Sequence, residues 1–233
     1  MFDWQLFGDD VRKHGPALLA AGVVPGPPEG PFVEGRAYPL GVDIDGSTGA
    51  VSYAALNPYP DTAPGWWCVA VRFTLVDGVW HDGDQDDNST TQQPFVRPVE
   101  IENSTSAWFD WHSNGGLGDY SERIGDPPRY RHMFFGIAPA GTARLTVTDE
   151  TARARDLTVT PWCGAYVATV EGAFSRLTGY DGNGQQLGSF VCFDGPTSES
   201  DLGLSGMGEP VERLGNGVGE PIVSRQSSPP ADD

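Results

Sequence analysis

The densest chemistry in the chain is the acidic run His81-Asp82-Gly83-Asp84-Gln85-Asp86-Asp87-Asn88, four carboxylates in seven positions with no basic residue among them. Carboxylates this close repel one another, and a hard cation bound through oxygen relieves the repulsion. Asp82, Asp84 and Asp86 match the first, third and fifth positions of a calcium-binding loop, which makes them the candidate metal ligands and Ca2+ the candidate cofactor. The match then fails. The sixth position is Asp87 where the sharp turn needs Gly, and the twelfth is Gln93 where a bidentate Glu belongs. The plainer reading is a solvated acidic loop between two strands, its repulsion screened by salt. Asp43-Ile44-Asp45-Gly46-Ser47 poses the same choice on a smaller scale.

The second constellation is aromatic. Five of the seven tryptophans, Trp66, Trp67, Trp80, Trp108 and Trp111, fall between positions 66 and 111. In Trp108-Phe109-Asp110-Trp111-His112 a strand would put Trp108, Asp110 and His112 on one face and Phe109 and Trp111 on the other. A flat aromatic surface beside a carboxylate and an imidazole suits the stacking of a sugar ring, so Trp108, Asp110, Trp111 and His112 are the candidate ligand-binding residues. The plainer alternative is a thick core filled with large rings.

Hydrolysis of a glycosidic bond needs two carboxyl groups about 5–9 Å apart, one of them with a raised pKa. Glu100, Glu102, Asp110, Asp119 and Glu122 lie in a region that could supply the pair, and Ser113–Gly118 reads as a flexible loop at its rim. In so acidic a chain, chance proximity is the expected outcome. No catalytic residue is assigned. Gly203-Leu204-Ser205-Gly206-Met207 breaks the G-x-S-x-G nucleophile elbow at its last position, and the four histidines lack the H-E-x-x-H spacing. His112 and His132 could meet across paired strands and hold a metal with Asp110, but a lone strand histidine is more often a neutral ring.

The overall charge narrows the partners. Of 233 residues, 14 are Lys or Arg and 32 are Asp or Glu, a net charge of −18, which repels phosphate backbones and anionic lipid surfaces. Nucleic acid and membrane are therefore not expected partners; a protein or a neutral small ligand is. Lys13 is the one lysine and no glycine-rich loop precedes it, so a Walker A phosphate cradle is excluded. The start lacks the basic and apolar regions of a secretory signal, and no apolar run spans a bilayer, so a cytoplasmic location is expected. Cys68, Cys163 and Cys192 fit neither a dense disulfide framework nor a zinc site. Cys163 and Cys192 both read as strand residues and could lie close together, with buried thiols the plainer reading.

These residues must be positioned by short runs rich in Val, Thr and aromatics, separated by Gly, Pro, Asn and Asp clusters. Strands are predicted at Leu40–Ile44, Ala50–Leu56, Trp67–Val76, Phe95–Ile101, Ala107–His112, Tyr130–Ile137, Ala143–Thr148, Asp156–Pro161, Ala165–Val170, Phe174–Tyr180 and Gln185–Phe193. The alternation Val69, Val71, Phe73, Leu75 against Arg72 and Thr74 reads as a half-buried strand. About 11 strands with no long helix between them predict an all-β, antiparallel β-sandwich over residues 36–193, with a β-barrel as the alternative. Asp77-Gly78 and Asp181-Gly182-Asn183-Gly184 are expected to make hairpin turns.

Residues 1–35 read as a short helix capped by Asp9 or Asp10, split at Gly15-Pro16 and ended by Gly22, followed by a Pro-rich arm. Residues 194–233, rich in Gly, Pro and Ser and without an aromatic, read as a largely disordered acidic tail.

Within 130–193, the succession Phe135-Gly136-Ile137-Ala138-Pro139, Ala143-Arg144-Leu145-Thr146-Val147, Phe174 and Leu177-Thr178-Gly179-Tyr180-Asp181-Gly182-Asn183-Gly184-Gln185-Gln186-Leu187-Gly188 resembles uncharacterised bacterial all-β proteins, which end in a similar hairpin. The resemblance implies a sandwich and no activity. The function expected from the sequence is a non-enzymatic binding or assembly module for a protein or neutral ligand. A carbohydrate-active module built around Asp110 is the alternative.

Overall fold

The computed structural model describes residues 2–56, 65–90, 95, 118–124, 129–138, 141–172, 174–194, 212–214 and 221–223. The described residues form one helix, α1 (Trp4–Ala21), and four opening strands, β1 (Tyr38–Asp45), β2 (Thr48–Leu56), β3 (Trp66–Val76) and β4 (Val79–Thr90). β5 (Gly118–Ile124), β6 (Arg129–Ile137), β7 (Arg144–Asp149), β8 (Ala154–Leu157) and β9 (Ala165–Glu171) follow. β10 (Phe174–Tyr180), β11 (Gln186–Asp194), β12 (Glu212–Leu214) and β13 (Pro221–Val223) complete the order. All pairing is antiparallel and forms three sheets: a front sheet β1-β2-β3-β4, a middle sheet β5-β6-β9 and a back sheet β13-β12-β11-β10-β7-β8. The fold is an all-β sandwich whose sheets do not close into a barrel.

Three apolar clusters hold the layers together. The outer face of the front sheet carries Val69, Val71 and Phe73 against Phe7, Val11, Leu18 and Leu19 of α1. Its inner face meets the middle sheet through Ala50, Ala54, Cys68, Ala70, Met133, Phe135 and Val167. The other face of the middle sheet, with Phe134, Tyr166 and Ala168, packs on Leu145, Val147, Leu157 and Leu177 of the back sheet. This layering corrects the half-buried reading of β3. Arg72, expected on a solvent face, is buried along with every residue of β3 from Trp66 to Phe73, because α1 covers one side and the middle sheet the other.

The helix also departs from expectation. It begins earlier, with Asp3 as N-cap, its Oδ1 accepting from the Leu6 N–H at 2.9 Å, and it runs unbroken through Gly15-Pro16. Pro16 removes one helix donor, a cost of about 3 kcal/mol in an isolated helix, and burial of the α1 face against the front sheet offsets it. Gly15 is needed there: a Cβ would strike the Phe73 ring, 2.7 Å from Cε1. Gly22 ends the helix as expected, with φ of 67° and its N–H bonded to the Leu18 carbonyl at 2.8 Å.

Both hairpin turns form as read. Asp77 and Gly78 have φ of 51° and 79°, the left-handed pair that joins β3 to β4. Asp181 Oδ1 accepts from the N–H groups of Asn183 and Gln185, each at 2.8 Å. Phe95–Ile101 lies outside the described residues except Phe95, which sits in a turn, and Ala107–His112 lies wholly outside. Of the tail, the described residues are Asp194, at the end of β11, and β12 and β13, which extend the back sheet. No described helix is long and apolar enough to cross a membrane.

Candidate functional site

The acidic run is strand, not loop. Residues 82–88 lie within β4, with Asp86 opposite Ala70 and Asp87 opposite Val69, and the register slips between Asp82 and Gln85 opposite Val71–Phe73. Asp82, which is exposed, stands before this irregularity and Asp86 after it, so positions 82, 84 and 86 do not form one uninterrupted alternating row. Of the loop read at Ser113–Gly118 the described residue is Gly118, which opens strand β5, and the candidate carboxylates Asp119 and Glu122 lie on that strand. Trp108, Asp110, Trp111 and His112 lie outside the described residues, as do Glu100 and Glu102. Among the described residues no three His, Cys, Asp or Glu side chains converge as a metal set.

Two tryptophans of the aromatic constellation are core. Trp67 faces α1, with ring centroids 5.0 Å from Phe7, 5.3 Å from Trp4 and 6.0 Å from Phe2. Its neighbour Trp66 points the opposite way into a nest where Phe32, Phe95 and Trp162 lie nearly parallel, with 4.8 and 6.3 Å between successive centroids. Trp66 meets Phe95 edge-on at 4.8 Å. The nest joins the arm carrying Phe32 to the front sheet through ring contacts. Trp66 and Trp67 therefore offer no exposed platform for a sugar ring.

The second acidic motif is a joint between sheets. Asp43 on β1 takes two hydrogen bonds from the Arg155 guanidinium of β8, at 2.6 and 2.7 Å, and a third from the Thr169 N–H of β9 at 2.9 Å. Arg155 also donates to the Thr169 carbonyl at 2.7 Å. One carboxylate thus ties front, middle and back sheets. Asp45, one alternation on, receives Arg153 at 2.7 Å, and Arg153 reaches back to Asp149 at 3.0 Å. Burial works against a charged Asp149, but the Thr151 and Arg153 side chains and their backbone N–H groups hold its carboxyl below the usual range. The spacings Asp43/Asp45 and Arg153/Arg155 put like charges on one side of an extended segment, a signal that the acidic turn alone does not reveal. Their meeting depends on sheet order, which periodicity does not encode.

His132 and Ser175 form the only described pair with the makings of a nucleophile and its base, Nε2 and Oγ lying 2.8 Å apart. Both are buried where the middle and back sheets meet, with Ser175 wholly inaccessible, and burial lowers the His132 pKa to about 3. No substrate reaches Oγ, so the pair acts as a polar tie between sheets. Burial likewise pushes the Cys68 thiol up, leaving it a small core residue rather than a nucleophile. Cys163 is also buried, in the turn before β9 rather than in a strand.

Asp10, expected as a helix cap, is instead a buried anchor. Its Oδ2 accepts from Arg36 Nε at 2.8 Å and from the Ala37 N–H at 3.1 Å, fixing the end of the Pro-rich arm against the middle of α1. Nothing in the local sequence marks this role, because its partners stand 26 and 27 positions later.

Compared with protein families, with characterised proteins and with solved structures, the chain has no match.

Proposed function

We propose that this acidic β-sandwich is a non-enzymatic binding or assembly module for a protein or a neutral ligand, working through the connection between β4 and β5 that contains Trp108, Asp110, Trp111 and His112. The observation that carries this reading is the use already made of the polar groups inside the sandwich. Asp43–Arg155 and His132–Ser175 join sheets, and Asp10 joins α1 to the arm. Among the described residues these charged and nucleophile-like groups hold the scaffold together, and recognition falls to the connections it presents. A net charge of −18 favours partners that are basic or uncharged. Reduced, buried Cys68 and Cys163 are consistent with a cytoplasmic location.

A second reading, a carbohydrate-active module, is favoured by the alternation of Trp108, Asp110 and His112. The test is a titration of the full chain with a panel of neutral oligosaccharides followed by tryptophan fluorescence, beside chemical cross-linking to partners in solution. The comparison is the variant Trp108→Ala/Asp110→Asn/Trp111→Ala/His112→Ala. Loss of cross-linking in a variant of unchanged melting temperature supports the module. Saturable quenching by a sugar that the variant loses moves the assignment to carbohydrate, and a variant that keeps every interaction overturns both. Calcium at Asp82, Asp84 and Asp86 is a separate arm, read as a rise in melting temperature that chelator reverses.

A further inference from the structure

We propose that the Pro-rich arm at residues 24–31 is a docking strand for a partner domain that recognises polyproline through an aromatic-lined groove with basic side chains at its rim. The run Val24-Pro25-Gly26-Pro27-Pro28-Glu29-Gly30-Pro31 sets its own shape. The rings of Pro25, Pro27 and Pro28 fix φ at about −65°, and each proline bars the helical region to the residue before it, so Val24 and Gly26 are held extended as well. No helix, turn or strand pairing occurs from 24 to 29, and Gly30, with φ of 83°, ends the run. A polyproline helix repeats every three residues, which puts Pro25 and Pro28 on one edge and Pro27 on the next.

The independent observation is how the arm is held. Both ends are fixed to the scaffold. Val24 is buried in the cluster under α1, while Phe32 meets the rings of Tyr38 and Trp66 edge-on, at 5.2 and 4.7 Å between centroids. The Val33 N–H donates to the Tyr38 hydroxyl at 2.7 Å, and Arg36 is tied to Asp10. Between these anchors Pro25, Pro27, Glu29 and Pro31 are exposed, and a Cβ on Gly26 or Gly30 would meet no atom within 4 Å. No backbone hydrogen bond joins residues 23–31 to the other described residues. The scaffold has thus already met the ordering cost that a free linker would face on binding. Such a run offers proline rings and carbonyl acceptors, which match ring faces and the N–H or O–H of Trp and Tyr in a partner groove. Prolines 25, 27 and 28 have no N–H, so a β-strand partner finds too few donors here. Exposed Glu29 and the chain's charge of −18 call for Arg or Lys at the rim.

The experiment titrates the labelled full chain with a panel of isolated SH3 and WW domains, read by fluorescence anisotropy. It compares the wild type with Pro25→Ala/Pro27→Ala/Pro28→Ala and with Glu29→Lys. The expected result is saturable binding by at least one domain, weakened at least about tenfold in the triple variant. Glu29→Lys should weaken it too and flatten its dependence on salt. Should the triple variant melt below wild type, Glu29→Lys decides, because its side chain is exposed. Binding by no domain, or binding that both variants keep at full strength, overturns the proposal. The arm is separate from positions 108–112, so the fourfold variant there should bind the same domain as wild type does. Domain binding lost in that variant and kept in the arm variants overturns the arm's role while leaving the function proposed above in place.

Discussion

The Arg155 guanidinium closes on the Asp43 carboxylate through two parallel hydrogen bonds, joining residues 112 positions apart and two different sheets. Asp43 is buried and Arg155 nearly so, so the pair is screened by neighbours rather than by solvent. Such a pair adds little net stability over apolar replacements of the same size, but removing one partner strands a charge in the interior.

Arg155→Ala should therefore cost about 3–5 kcal/mol, measured by urea unfolding. The double variant Asp43→Leu/Arg155→Met should recover most of the loss. A single variant within experimental error of wild type would show that the sheets do not depend on this joint.

Gly15→Ala adds one methyl where the Phe73 ring already stands. The expected cost is about 1–3 kcal/mol, typical of overpacking, and Phe73→Leu in the same chain should return part of it. If Gly15→Ala instead stabilises the protein, as alanine does in an unobstructed helix, the packing of α1 on β3 is wrong.

His132 makes stability depend on pH with a definite sign. Its folded pKa lies near 3, below the unfolded value of about 6.5, so the neutral ring is at home in the fold and the unfolded chain takes up the proton first. Stability from this group is complete above pH 6.5 and falls by about 1.4 kcal/mol per unit as pH drops toward 3. Carboxylates such as Asp149, held low in the fold, act in the same direction at lower pH. His132→Gln isolates the histidine: the difference in unfolding free energy between variant and wild type should shrink from pH 7 to pH 5. A constant difference would mean that the imidazole is not buried in its neutral form.

Asp10→Ala should release the junction between the arm and α1. The Ala37 N–H, which donates to Asp10, should lose hydrogen-exchange protection, with a global cost of about 1–3 kcal/mol for the unsatisfied buried donor. The partly exposed Arg36 contributes less to this figure, since water screens it. Unchanged protection at Ala37 would remove Asp10 from the role.

What the sequence made legible follows from the range of each signal. Strands with apolar alternation, such as β3 and β9, and turns with an obligatory positive φ, such as Asp77-Gly78, were readable because their determinants are adjacent residues. β4 was missed because its residues from 82 to 88 are polar throughout and carry no alternation; pairing with β3 imposes the extended form. The continuity of α1 past Pro16 was missed for the related reason that its stability comes from the front sheet. At the candidate site, the residue types at 108–112 were visible, whereas Asp43 and Arg155 look like ordinary strand charges until the sheets are laid together.

Among the described strands β4 ends the front sheet, and a sheet border normally invites a neighbouring molecule to add its own backbone. Here that border carries Asp82, Asp84, Asp86 and Asp87, so a second molecule docking the same border would bring like charges together rung by rung. The run that resembled a ligand cage in one dimension has, on a strand border, the composition that discourages edge-to-edge growth, an effect expected to be strongest where salt is low.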